Sequence, residues 1–135
     1  MGQKLFGTSG IRGIVNKDLT LQLALQTGLS VATTTNAGKI VIAHDTRTTA
    51  TTIENALAAG LLGGGAKVVK LGLIPTPVLA YATRQLKADA GVMITASHNP
   101  PQYNGIKLFN TNTMAYTRKQ EDNIERLIKK QQFKR

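Results

Sequence analysis

The 135-residue chain has no cysteine. Disulfide frameworks, thiolate metal sites and thiol redox chemistry are therefore excluded, and a cytoplasmic location is the expectation. Aromatic residues are scarce, at 4%, which leaves few rings on which single-stranded nucleic acid could stack. The amino end, "MGQKLFGTSG", has no apolar signal core, and no run of eighteen apolar residues occurs. Neither a signal peptide nor a membrane-spanning helix is readable, so no membrane partner is expected. Acidic residues are few: 7 Asp plus Glu stand against 17 Lys plus Arg, a formal charge of +10. Such an excess favours anionic partners. It is spread along the body rather than gathered in a tail, and no helix-turn-helix or ribonucleoprotein signature accompanies it, so nucleic acid is not the expected partner.

What is present alternates between two periods. Short β-branched runs at Lys39 to His44, Lys67 to Gly72 and Gly91 to Thr95 read as buried strands. Between them lie helical patterns. Leu21, Ala24, Leu25, Gly28, Leu29 and Ala32 share one face, with Thr20 as N-cap. A second helix spans about Thr49 to Leu62 and stops at the glycines 63 to 65. A third, introduced by Pro75 and Pro77, runs through Val78, Ala82 and Leu86, and a fourth covers about Arg118 to Gln131, with Thr117 and Glu121 near its start. Residues 1–135 are expected to form one domain, a three-layer α/β/α sandwich. Helical crossovers make the three runs parallel. The run Gly105 to Phe109 follows too soon for a crossover and is expected antiparallel, giving a mixed, mainly parallel sheet of about four strands.

Ligands of open α/β sheets gather beyond the carboxyl ends of the strands. There the chain places "HDTR", "PTP" and "TASHNP". Each suits turns and helix caps, and each also suits a site. Ser97 lacks the G-x-S-x-G elbow of hydrolases, and His98, its direct neighbour, is poorly placed to be its base. Two histidines, His44 and His98, without H-x-x-x-H spacing do not make a zinc site. Phosphate chemistry remains. Lys107 follows in "NGIK", and "GTSGIRG" brings Ser9 and the guanidinium fork of Arg12 among glycines that permit close approach.

In order and spacing, "FGTSGIRG", "HDTR", "GLIPTPVLAYA" and "TASHNPPQYNGIKLF" resemble the first domain of the α-D-phosphohexomutases, a family including phosphoglucomutase, phosphomannomutase and phosphoglucosamine mutase. The resemblance covers nearly the whole chain. It implies that Ser97 carries a phosphoryl group and moves it between O6 and O1 of a hexose phosphate through a hexose bisphosphate, which also serves as activator. It implies catalytic roles for Arg12 and Lys107, Lys107 in acid/base catalysis, and a role for His98 in ordering the loop or touching the sugar phosphate. Asn99 and Asn104 are expected to fix turns, and Asp45 and Arg47 to brace loops or cap a helix. The resemblance also implies Mg2+, touched here by the Ser97 phosphoryl oxygen, with its main carboxylate ligands in a later domain. The family's magnesium loop D-G-D-G-D-R is not in this sequence, and "DTRTTA" replaces the usual D-x-R-x-S-G. The isolated chain is therefore expected to need the remaining mutase domains, or a complementing chain, for turnover. The alternative is a catalytically silent domain that binds phosphorylated ligands, a partner protein or nucleic acid.

Overall fold

The computed structural model describes residues 5–7 and 10–133. Its ten elements are β1 (Phe6–Gly7), β2 (Gly10–Ile14), α1 (Leu21–Thr34), β3 (Lys39–His44), α2 (Ala50–Gly63), β4 (Lys67–Leu73), α3 (Thr76–Gln85), β5 (Ala90–Ile94), β6 (Tyr103–Phe109) and α4 (Arg118–Lys130). The six strands form one mixed sheet in the order β1-β2-β6-β5-β3-β4. β3 pairs in parallel with β4 and β5, and β6 runs antiparallel to β5, as expected.

The sheet has six strands rather than about four. The two additional strands lie in the amino-terminal stretch, which reads as a glycine-rich loop. Gly10 and Gly13 dilute the strand pattern of β2, and its partner β6 lies far along the chain, so nothing local marks it. Non-local pairing wins: Ile11 faces Ile106 across the ladder and is buried in the core.

Alternation along the central strands splits the core into two layers. Ile40, Ile42, Val92, Ile94, Ile106 and Leu108 pack toward Ala24 and Val31 of α1, Ile53 and Leu57 of α2, and Ile124 and Ile128 of α4. Val41, Ala43, Met93 and Phe109 face the other way, against Leu79 and Ala80 of α3. Caps start two of the helices. Thr20 Oγ1 accepts from Leu23 N at 3.0 Å, and Thr117 forms a capping box with Gln120, not with Glu121. At the end of α2 the turn is made by Gly65 at φ +88, whose N–H reaches the carbonyl of Leu62 at 3.0 Å.

Helices α1 and α2 cross at Gly28 and Gly60. A Cβ at Gly60 would stand 2.0 Å from the carbonyl oxygen of Leu25, and one at Gly28 would stand 2.3 Å from that of Leu57. Backbone meets backbone there, so the pair packs as one block beneath β3.

Candidate functional site

β3 and β5 are parallel neighbours, so the segments that follow them emerge side by side. The first is Asp45 to Thr49 and the second Thr95 to Gln102. They are tied at the root, where Asp45 N donates to the carbonyl of Ile94 at 3.2 Å. Asp45 then acts through both carboxylate oxygens. Oδ1 accepts from Arg47 N at 3.1 Å, and Oδ2 accepts the Thr95 hydroxyl at 2.5 Å, in the range of a charge-assisted bond. Thr95 Oγ1 in turn accepts the Ser97 N–H at 3.0 Å. A carboxylate on one loop thus holds the backbone of the other through a hydroxyl.

The main tie is Arg47. Its Nη2 donates to the carbonyls of Ser97 and Asn99, each at 2.8 Å. Its Nη1 donates to those of Pro100 at 2.8 Å and Tyr103 at 3.1 Å. Around this guanidinium the second loop turns tightly: Asn99 N closes on Ala96 O at 3.1 Å and Tyr103 N on Pro100 O at 3.0 Å. At its tip Ser97 has φ +55, in the left-handed region that non-glycine residues seldom occupy, and its side chain is exposed. A strained serine held out of the surface by its neighbours is a common feature of functional loops.

Arg12 approaches from β2. It lies opposite Gly105 of β6, and the carbonyl of Gly105 accepts from Thr95 N at 3.0 Å at the base of the Ser97 loop. A Cβ on residue 105 would come within 2.6 Å of Thr95 O and 3.2 Å of Arg12 Cγ. The missing side chain therefore lets the arginine stem lie across β6. Its Nε is buried with no hydrogen-bond partner among the described residues, and a buried guanidinium N–H without an acceptor is a donor available to one.

Lys107 sits two residues beyond Gly105 on the same sheet face, opposite Met93. Its ammonium lies 5.4 Å from the centre of the Phe109 ring, a cation–π contact that draws it along the strand away from the Ser97 loop. Thr76, Pro77 and Tyr81 of α3 and Phe109 share with it an open cavity of about 440 Å³.

Asn104, fully buried, accepts from Gly105 N at 2.8 Å and donates to Thr49 Oγ1 at 2.9 Å, so it joins β6 to the start of α2. Asn99 fixes its turn through backbone groups only; its side chain makes no hydrogen bond among the described residues. His98 is exposed, and no described residue bonds its ring, so ordering of the loop falls to Arg47. Neither Asp45 nor Arg47 caps α2; the N-cap is Thr49, whose hydroxyl is engaged by Asn104. Ser9 lies outside the described residues. Thr95 and Thr49, which sequence reading passed over, are both structural partners of the site. Thr95 was signalled by its place two residues before an exposed serine, a spacing that favours a hydroxyl-to-backbone turn.

Among the described residues no three His, Asp or Glu side chains gather as metal ligands. Asp45, the carboxylate tied into the loop, has both oxygens engaged. These residues do not fit a magnesium ion by themselves, which takes six oxygens in near-octahedral geometry.

The comparisons with known proteins agree with one another. Over 132 residues the chain is 52% identical to a Pyrococcus abyssi protein named a probable phosphoglucosamine mutase, covering 98% of this chain and 29% of that one. It is 53% identical to a protein of the same name from Methanobrevibacter smithii, covering 97% and 30%. The chain thus spans about three-tenths of the length of these relatives. Among solved structures, a Thermus thermophilus protein named for phosphomannomutase superposes with a TM-score of 0.83 at 38% identity, covering 95% of this chain and 30% of that one. A phosphoglucomutase/phosphomannomutase family protein from Burkholderia thailandensis superposes with a TM-score of 0.86 at 29% identity, covering 99% and 31%. The family model for phosphoglucomutase/phosphomannomutase, alpha/beta/alpha domain I, matches residues 3–135. The three-layer sandwich, the serine held out at the carboxyl end of β5 and this match over residues 3–135 place the chain in the phosphoglucomutase/phosphomannomutase family, as its domain I.

Proposed function

We propose that this domain carries the phosphoryl group of a hexose phosphate mutase on Ser97. The observation that supports this best is the exposed serine at φ +55 on a loop whose carbonyls are turned toward Arg47. In the first half-reaction a hexose phosphate hydroxyl attacks phosphorus, the Ser97 Oγ–P bond breaks and a hexose bisphosphate forms. In the second, Ser97 Oγ attacks the other phosphate and the isomeric monophosphate leaves. Phosphoryl transfer of this kind depends on positioning and on cations around the transferring oxygens more than on covalent help. Arg12 supplies one, since its buried Nε lacks an acceptor. Lys107 swings from Phe109 on its flexible stem to exchange a proton with the sugar hydroxyl. His98, at the loop tip, meets the sugar phosphate. The relatives' names point to a hexosamine phosphate as the sugar. A magnesium ion would supply charge neutralisation at the phosphoryl group, and its carboxylate ligands would have to come from outside this chain, so the chain alone is not expected to turn over.

The test is mapping of the phosphoryl group after a full-length mutase bearing this domain meets a hexose 1,6-bisphosphate. Phosphate on Ser97 is the expected result. Phosphate on another residue, with Ser97 bare, sinks the reading.

A further inference from the structure

Arg47 bonds the Ser97 loop and Arg12 lies across β6 at its base, opposite Gly105, and the two stand in opposite states. A guanidinium has five N–H donors in a fixed fork. In Arg47 four of them are spent on the carbonyls of Ser97, Asn99, Pro100 and Tyr103. The fifth, on Nε, makes no hydrogen bond but is turned toward Asp45 Oδ2 at 3.6 Å, an ion-pair distance. The side chain is only 10% exposed. Every donor of Arg47 is directed at a group of the fold, whereas Arg12 Nε is buried with no hydrogen-bond partner among the described residues.

The carbonyls that Arg47 holds also tell why an arginine stands there. Asn99–Pro100 and Pro100–Pro101 are tertiary amides, with an acceptor and no N–H of their own. A loop rich in acceptors and poor in donors needs donors from elsewhere, and one planar fork serves four acceptors where a lysine offers three donors from a single point. The Ser97 carbonyl and the His98 N–H are opposite ends of one trans peptide unit. Drawing the carbonyl inward turns that N–H outward, and no described acceptor takes it.

We propose that Arg47 is the positioning residue of the phosphoryl carrier: through four carbonyls it sets the left-handed backbone of Ser97 and presents the His98 N–H to the phosphoryl oxygens, without touching substrate itself. Asp45 completes the device by orienting Arg47 through its backbone and Ser97 through Thr95. The role rests on Ser97 being the carrier.

Arg47→Ala and Arg47→Lys test it through two readouts. The first needs no catalysis: hydrogen exchange at the amides of Asn99 and Tyr103 in the 135-residue chain. The second is the rate of Ser97 phosphorylation by a hexose 1,6-bisphosphate, with kcat and KM, in a full-length mutase bearing this domain. With circular dichroism unchanged, exchange at both amides rises about tenfold or more. Phosphorylation and kcat fall about 10²-fold, the usual consequence of a misplaced reacting group, while KM moves less than about threefold. Millimolar guanidinium, but not ammonium, restores transfer in Arg47→Ala. Unchanged exchange and transfer in that variant overturn the proposal. A loss expressed in KM alone also overturns it, by making Arg47 a substrate ligand. If Arg47→Ala does not fold, Arg47→Lys decides on the same readouts. A wild-type enzyme that takes no phosphate on Ser97 sinks the carrier reading, and the positioning role with it; a labelled wild type whose variants behave normally sinks the positioning role alone.

Discussion

Glu125 Oε1 accepts the backbone N–H of Phe6 at 2.9 Å and, from the same atom, that of Leu5 at 2.9 Å. Glu125 is 6% exposed and sits on α4, so one buried residue fastens the first strand to the last helix. Its loss leaves two donors without partners. Glu125→Ala is expected to lower stability by about 2–4 kcal/mol, whereas Glu125→Gln, which keeps an oxygen in place, should lose about half as much. Urea unfolding of the three proteins checks this, and an alanine variant within about 0.5 kcal/mol of wild type would show that β1 is held by packing alone.

Gly60→Ala sets two effects of opposite sign against each other. Helix propensity favours alanine by about 1 kcal/mol. The new methyl would meet Leu25 O at 2.0 Å, and a backbone oxygen cannot rotate out of the way. Overpacking of this kind destabilises by about 1–3 kcal/mol, so the net change should be a loss. A rise in Tm would mean that α1 and α2 can slide apart without penalty.

Burial raises the Tyr116 phenol from 10.0 to about 12, with its hydrogen bond to Thr34 offsetting part of the shift. A phenol whose folded pKa lies above its unfolded value stabilises the fold below the unfolded pKa. That stability is lost as pH rises from 10 through about 12, because the unfolded chain ionises first. At pH 11 the loss should be about 1–1.5 kcal/mol. The measurement is the difference between wild type and Tyr116→Phe in urea unfolding at pH 9 and pH 11, which cancels whatever the two proteins share. Equal pH dependence in both would show that the phenol reaches water.

Lys107→Met, in a full-length mutase, should lower kcat by about 10²-fold or more if the ammonium is both acid/base and charge. Stability should fall by no more than about 1 kcal/mol, the worth of a partly exposed contact with Phe109. An unchanged kcat would leave Lys107 as a packing residue beside that ring.

How much of this was legible depends on the distance over which each feature is specified. β3, β4, β5 and the four helices announce themselves within a few residues, because Ile40, Val41 and Ile42 cluster and Leu21, Ala24 and Leu25 recur on one face. β2 does not, since Gly10 and Gly13 carry no side chain to mark a period and its ladder partner is β6. The candidate residues Ser97, Arg12 and Lys107 were visible as residue types. Arg47's part was not, for its acceptors are backbone carbonyls that any sequence possesses. The hint lay in Asn99-Pro100-Pro101, a run short of N–H groups that requires a donor from another segment.

The antiparallel ladder between β2 and β6 has a consequence for the order in which the molecule assembles. Every bond from Arg47 to the Ser97 loop spans between 50 and 56 positions, and the one from Phe6 to Glu125 spans 119. Contacts so distant along the chain make folding slow, since the loops between them must close first. During synthesis the first strands have no sheet edge to join until β6 has emerged, so Arg12 reaches Gly105 only after the Ser97 loop already exists. Of the described site residues, the one made earliest is among the last to arrive.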